Sequence, residues 1–264
     1  MTGKRWLALC LGLLLLAATG WVVLQLWPWL RLPLSAGADH RIDGRAAWHG
    51  RLMVVSWSLM LPLGVLAARY FKITPRQPWP AVLDNKCWWR IHLWLQVGGS
   101  LIGVLGLLLV LPLSSRQASL AQWHALGGWL VMLCACIQLV SGFLRGSKGG
   151  PASAQMHGDH YLMTAHRVRF ERLHKGIGWL ALLLALLTTL AGLVMVDAPR
   201  WIVLLIGLWW AGLFVVGLLL QRAGRCIDTY QAIWGPDPVH PGNRRPPIGW
   251  RVRRLSGDRL PPQP

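Results

Sequence analysis

Residues 45–70 read RAAWHGRLMVVSWSLMLPLGVLAARY. From Leu52 to Ala68 this stretch holds no Lys, Arg, Asp or Glu, and with its interfacial ends it runs from about Trp48 to Tyr70. A helix rises ~1.5 Å per residue, so about 20 predominantly apolar residues cross a hydrocarbon core of roughly 30 Å. The stretch therefore predicts a transmembrane helix, with one histidine, His49, in its first turn. Five other stretches are equally free of charge and long enough: 7–30, 91–115, 117–144, 176–196 and 201–221. The break between 91–115 and 117–144 falls at Pro112, Ser114, Ser115 and Arg116, which reads as a turn at the membrane surface.

The composition agrees with six spans. Hydrophobic residues make up 54% of the 264 residues and charged ones only 14%, where a soluble domain carries about a quarter. That excludes a soluble enzyme, and the abundance of Leu and Trp excludes disorder of the whole chain. The net charge of +18 does not point to nucleic acid, because the 27 Lys and Arg sit between long uncharged runs. With the N-terminus in the cytoplasm, 21 of those cations fall on the inner side and six on the outer, so both termini are expected inside. Trp27, Trp29, Trp48, Trp88, Trp89, Trp123 and Trp201 lie near span ends, where amphipathic rings anchor.

The first span follows Lys4 and Arg5 as a signal peptide would. Its apolar run continues past Ala17-Ala18-Thr19 to Leu30, so a retained helix is expected. Residues 222–264 carry eight of the 17 prolines and eight Arg, which predicts a structureless cytoplasmic extension drawn to anionic lipid. Cys10, Cys87, Cys134, Cys136 and Cys226 show no metal-binding spacing and read as small apolar fillers.

Four of the nine histidines, His49, His92, His124 and His174, sit at the first turn or so of spans two, three, four and five. Spans two and four start on the outer side, and spans three and five on the inner side. His49 and His124 thus share one depth and His92 and His174 another. A single histidine is tolerated at an interface; four matched in depth point to function. Imidazole pairs without carboxylates suit a borderline metal. Two protein ligands per depth are too few for a zinc site, whereas a porphyrin supplies four equatorial nitrogens to an iron. Glycines stand near each ligand: Gly50, Gly127 and Gly128, Gly178, and Gly98 with Gly99. They make room either for a planar macrocycle or for close helix packing.

These residues resemble a known family. His49-Gly50-Arg51-Leu52-Met53, then Trp57, Pro62, Gly64 and Ala68-Arg69-Tyr70, resembles the second helix of the cytochrome b561 family, in the form found in ferric reductases and in DOMON fusions. Trp88-x-x-x-His92-x-x-x-Gln96 is similar to the third. His124-x-x-x-Gly128 with Gln138, Gly142 and Arg145 is similar to the fourth, and His174-x-x-x-Gly178 with Ala191-Gly192-Leu193 to the fifth. The likeness covers about residues 45–197. It implies an all-α membrane protein of six transmembrane helices over residues 1–221, in which a central four-helix bundle, spans two to five, holds two b haems. It also implies transmembrane electron transfer, with His49 paired to His124 (outer haem iron) and His92 to His174 (inner haem iron). Arg90 stands where members that use cytoplasmic ascorbate carry a basic residue, often Lys. No DOMON domain is expected within the chain, and its compactness points to a bacterial inner-membrane member.

Both axial positions are then filled, so chemistry at each haem is outer-sphere. Lys86, Arg90, Arg172 and Lys175 are candidates to hold propionates or an anionic donor on the inner side, and Arg45, Arg51 and Arg116 on the outer. Positive-inside anchoring accounts for the inner set equally well. His157-Gly-Asp-His160 reads as a solvated loop, with Tyr161 and Met163 positioned to cover the inner haem. The expected activity is an oxidoreductase of ferric- or cupric-reductase type, or a link from a quinol or small reductant to a periplasmic redox protein or metal chelate. Two other readings stay open: a membrane-anchor cytochrome subunit of a redox complex, and a His-lined metal transporter. The partners expected are membrane lipid and redox donors and acceptors, not nucleic acid; a homodimer is one arrangement the sequence admits.

Overall fold

The computed structural model describes residues 3–36, 42–111, 119–149 and 157–255. Six helices are long and apolar enough to cross a membrane. They are α1 (Gly3–Leu30), α2 (Gly44–Tyr70), α3 (Cys87–Val110), α4 (Ser119–Phe143), α6 (Ala165–Met195) and α7 (Arg200–Arg222). Two short helices, α5 (Asp159–Leu162) and α8 (Thr229–Trp234), lie outside the spans, as does a 3-10 turn at Pro241–Arg244. The described residues form no strand beyond two isolated bridges. The turn expected at Pro112–Arg116 lies outside the described residues.

Helix ends follow local chemistry. The Asp43 carboxylate accepts from the amides of Arg45 and Ala46, so α2 starts at Gly44, earlier than hydropathy alone indicates, and His49 lies more than a turn inside. Asn85 Oδ1 accepts from Cys87 N at the start of α3. The fifth span, α6, begins at Ala165 rather than near 176. Thr164 caps it, and Glu171 binds Arg167 and Lys175, each four residues away, which extends the helix beyond its uncharged run.

Within α2, Val54–Met60 is a π-helix. Pro62 has no N–H to give to the Ser58 carbonyl, and that carbonyl instead accepts from Trp209 Nε1 of α7 at 2.6 Å. Leu61 N reaches back five residues to Ser56 O. Ser56 and Ser58 are fully buried, and Ser56 Oγ donates to Gly99 O of α3 at 2.7 Å.

Spans α2, α3, α4 and α6 form the central bundle as two antiparallel hairpins. Helix α2 packs along α3, and α4 packs along α6. Membrane helices gain no hydrophobic drive from one another, so close approach relies on small residues. On α3, a Cβ at Gly99 would lie 3.0 Å from Leu61, at Gly103 3.0 Å from Ser56 Oγ, and at Gly106 3.2 Å from Leu52. Gly98 and Gly99 therefore serve helix packing. Trp57, Leu61, Val131, Cys134, Ala135, Ala181 and Ala185 fill the middle of the bundle, joining the two hairpins. Helix α7 flanks α2, and α1 lies outside α7.

The expectation of a structureless extension after residue 221 is corrected over residues 225–255. Tyr230, Ile233 and Trp234 pack with Tyr161 and Met163 into a buried cluster. Asp228 caps α8 and binds Arg254 at 2.7 Å, while Asp228 N and Arg253 O close a backbone bond at 2.8 Å. Gly242 lies under the Tyr230 ring, where a Cβ would meet Cε2 at 2.2 Å. Proline and arginine counts hid an aromatic core of helical spacing. Residues 256–264 lie outside the described residues.

Candidate functional site

Each hairpin carries two of the four histidines, one toward each end. The His49 and His124 rings lie with centroids 6.0 Å apart, and the His92 and His174 rings 6.4 Å apart. These are the pairs that depth alone had joined. Every one of the four rings has its Nδ1 engaged. His49 Nδ1 donates to Gly106 O at 2.9 Å, His92 Nδ1 to Gly64 O at 3.0 Å and His124 Nδ1 to Thr188 O at 3.0 Å. His174 Nδ1 meets Ser141 Oγ at 3.1 Å. The Ser141 hydroxyl donates to Gln138 O, so its oxygen is the acceptor for His174. Nε2 is left as the free nitrogen on all four.

That arrangement fits a bis-imidazole metal. Two metal–nitrogen bonds of about 2 Å each, plus a ring radius at either end, give a centroid separation of roughly 6 Å. An N–H donated to a carbonyl or hydroxyl fixes the tautomer that ligates through the other nitrogen. Among the described residues no three His, Cys, Asp or Glu converge, so each pair offers two protein ligands and no more. Room for a macrocycle exists as well. A cavity of about 530 Å³ reaches from Trp57 and Leu61 in the middle of the bundle past His92 and His174 to Lys86 and Lys148 at that end. Gly192 admits the His124 ring: a Cβ there would lie 2.8 Å from Cε1. A Cβ at Gly50 or Gly128 would meet nothing within 4 Å, leaving open space near His49 and His124, whereas one at Gly127 would strike Thr188 Oγ1 at 2.5 Å.

Comparison with known proteins decides the family. The family described as eukaryotic cytochrome b561 matches residues 48–197, more than half of the chain. The chain belongs to the cytochrome b561 family. A cytochrome b561, DM13 and DOMON domain-containing protein of Arabidopsis thaliana is 29% identical over 159 residues, covering 60% of this chain and 16% of its own length. A cytochrome b561 and DOMON domain-containing protein of the same plant is 26% identical over 167 residues, 63% of this chain and 36% of its own. Ferric-chelate reductase 1 of Bos taurus is 30% identical over 121 residues, 46% and 20% respectively. The chain thus spans 16–36% of the length of these relatives. They are plant and animal proteins and lend the expected bacterial origin no support. No solved structure matches. Membership in the b561 family implies haem b, and the family is one of membrane electron-transport cytochromes.

The basic residues singled out in the sequence divide. Lys86 precedes α3 and lines the inner cavity, as does Lys175, which is bound to Glu171 at 2.7 Å. Arg90 and Arg172 are exposed and do not line it. Toward the His49–His124 end, Arg51 lies over the Trp48 ring at 4.9 Å and Arg45 is exposed; Arg116 lies outside the described residues.

Sequence reasoning missed three inner groups. His160 is not in a solvated loop: it is 1% exposed, covered by Trp234, whose Nε1 donates to its Nδ1 at 3.3 Å. Burial, followed by the nearby charge of Arg167, lowers its pKa to about 3. Glu171 is the carboxylate of α6, buried between Arg167 and Lys175. Lys72, just past α2, is 7% exposed and donates to the carbonyls of Arg69 and Ile227; burial lowers its pKa to about 8. The aromatic packing of residues 230–234 against 161–163 was the available signal for His160. Tyr161 and Met163 belong to that cluster rather than standing alone over the cavity.

Proposed function

We propose that this protein carries electrons across a membrane through two b haems, one held by His49 and His124 and one by His92 and His174. The supporting observation is the double geometry: two imidazole pairs at 6.0 and 6.4 Å, with all four Nδ1 atoms already engaged. Held by these imidazoles, each b haem would supply one-electron redox chemistry.

The chain's own part is to hold, space and shield. The Nδ1 bonds to Gly106, Gly64, Thr188 and Ser141 orient the rings and raise their basicity as ligands. The two levels are far apart. On α6, His174 and Thr188, the partner of His124, are separated by 14 residues, a rise of ~21 Å. The apolar cluster of Trp57, Leu61, Val131 and Ala185 lies between the levels. By charge distribution the His92–His174 level faces the cytoplasm, with both termini on that side. The electron donor or acceptor on each side meets a haem edge, not an iron. Names such as ferric-chelate reductase among the relatives favour a ferric or cupric chelate, or a periplasmic redox protein, as one such partner, and a quinol or small reductant as the other.

Replacing His49 or His124 by Ala is expected to remove one low-spin b haem and leave the other. Replacing His92 or His174 removes the counterpart. Reduced-minus-oxidised spectra with haem-to-protein ratios read this directly. Equal loss of both haems in all four well-folded variants refutes the pairing. Reconstitution in liposomes with an internal reductant and an external ferric chelate tests the direction.

A further inference from the structure

The inner cavity contains more positive charge than its carboxylates balance. Asp84 and Glu171 are its only described acidic lining residues, and both are paired, Asp84 with Lys148 and Glu171 with Arg167 and Lys175. Lys72 lines the same cavity nine-tenths buried, and its ammonium has only the carbonyls of Arg69 and Ile227. A buried ammonium held by neutral acceptors alone is costly.

His160 lines it too. Because its Nδ1 accepts the Trp234 indole N–H, the neutral ring carries its proton on Nε2. That Nε2–H is buried without a hydrogen-bond partner. The nearest carboxylate oxygen, Glu171 Oε1, stands at 3.9 Å, too far for a hydrogen bond, and is already bound by Arg167. The ring cannot easily turn away. Asp159 binds Ser147 and Thr164, and His160 N donates to Ser147 O, so the segment is pinned from both sides. An orphan donor of this kind marks a missing acceptor. Glu171 lies three residues before His174 on α6, placing His160 on the inner side of the His92–His174 pair.

We propose that His160 Nε2 and Lys72 Nζ hold one carboxylate in the inner cavity, with the C-terminal segment, through Trp234, setting the His160 tautomer. The carboxylate is a propionate of the inner haem or that of a small soluble acid. This rests on the two-haem reading above. It makes residues 225–255 part of the cofactor site, through a residue that no ligand pattern on the spans reveals.

The test is a spectroelectrochemical titration of the full-length haem-loaded protein, dialysed free of small acids. The inner haem is first identified as the one that His92→Ala removes. With a propionate as the carboxylate, His160→Phe leaves its charge less compensated. The inner haem's reduction equilibrium then shifts about tenfold toward the ferric form, ~59 mV for a one-electron couple. Lys72→Met shifts it the same way, His160→Gln, which keeps an N–H donor, restores most of it, and the outer haem does not move. With a soluble acid as the carboxylate, dialysed wild type and His160→Phe agree, and added succinate shifts only the wild type, saturably. Absence of both effects overturns the proposal, as does an equal shift in the Phe and Gln variants, which would report side-chain volume rather than the donor. A wild type lacking a second haem fails the underlying reading before any His160 variant is compared.

Discussion

Gly192 offers the sharpest perturbation of the proposed outer haem, the one assigned to His49 and His124. It stands against the His124 ring, where an added Cβ would lie 2.8 Å from Cε1 and 3.2 Å from Nδ1. Carbon–carbon contact is comfortable from about 3.5 Å, so Gly192→Ala is short by roughly 0.7 Å. The ring has little freedom to yield. Its Nδ1 is held to Thr188 O at 3.0 Å, one turn away on the same helix, and its Nε2 is the nitrogen left for iron. Relief requires lengthening one of those bonds or moving α4 off α6. Overpacking of this kind costs about 1–3 kcal/mol, which at ~1.4 kcal/mol per decade is roughly a 5- to 150-fold loss in affinity at the outer haem. The assay is haem content and redox difference spectra of purified Gly192→Ala against wild type. The inner haem is the internal reference, and Gly207→Ala, where a Cβ meets nothing within 4 Å, is the control. A Gly192→Ala protein with both haems in full and an unchanged outer potential refutes the placement of His124 as a ligand.

Other expectations follow from single contacts. Ser141→Ala removes the acceptor of His174 Nδ1 and makes the ring a weaker donor to iron; the inner haem potential rises while the outer one stays, as redox titration shows. Trp209→Phe leaves the buried Ser58 carbonyl without its indole donor, costing about 1–3 kcal/mol in denaturant titration of the detergent-solubilised protein; Pro62→Ala in that background returns an N–H and recovers part of the loss. Tyr230, 1% exposed and donating to Tyr161 O at 2.8 Å, has its phenol pushed up to about 12 by burial. A folded pKa above the unfolded value of about 10 stabilises the C-terminal segment fully below pH 10, and the contribution is lost as pH rises through about 12. Limited proteolysis within residues 225–255 should accelerate across that interval, and Tyr230→Phe should remove the step.

The spans and their paired histidines were legible because both signals are one-dimensional. Hydrocarbon thickness sets a length, alternating direction sets depth, and together they place His49 with His124 and His92 with His174. The inner side was not legible in the same way. In sequence His160 follows Gly149, Gly150, Pro151 and Gly158, a run that reads as loop, yet it is buried against Tyr230 and Trp234, 70 and 74 positions later. Composition averaged over 222–264 recorded proline and arginine and lost Tyr230, Ile233 and Trp234, whose spacing of three and four builds one apolar face. The basic residues near His92 divide, because proximity in sequence to a histidine does not decide which way a cation faces: Lys86 lines the cavity and Arg90 does not.

The interrupted helix α2 has a reason in the site itself. Each hairpin is tied by two rungs, one at the level of each histidine pair. In the first, His49 on α2 is bonded to Gly106 on α3, and Gly64 on α2 is bonded to His92 on α3. Between these rungs α2 spans 15 residues and α3 spans 14. In the second hairpin, His124 is tied to Thr188 and Gln138 to His174 O, and α4 and α6 each span 14. A straight α-helix adds ~1.5 Å and ~100° with every residue, so an extra residue on one side of a ladder would put one rung out of register. The π-helix at Val54–Met60 lies between the two rungs of α2 and takes up one residue without lengthening the ladder. Pro62 and the Trp209 bond to Ser58 hold it there. The irregular turn of the second span is thus what allows His49 and Gly64 to face their partners on α3 at both levels at once.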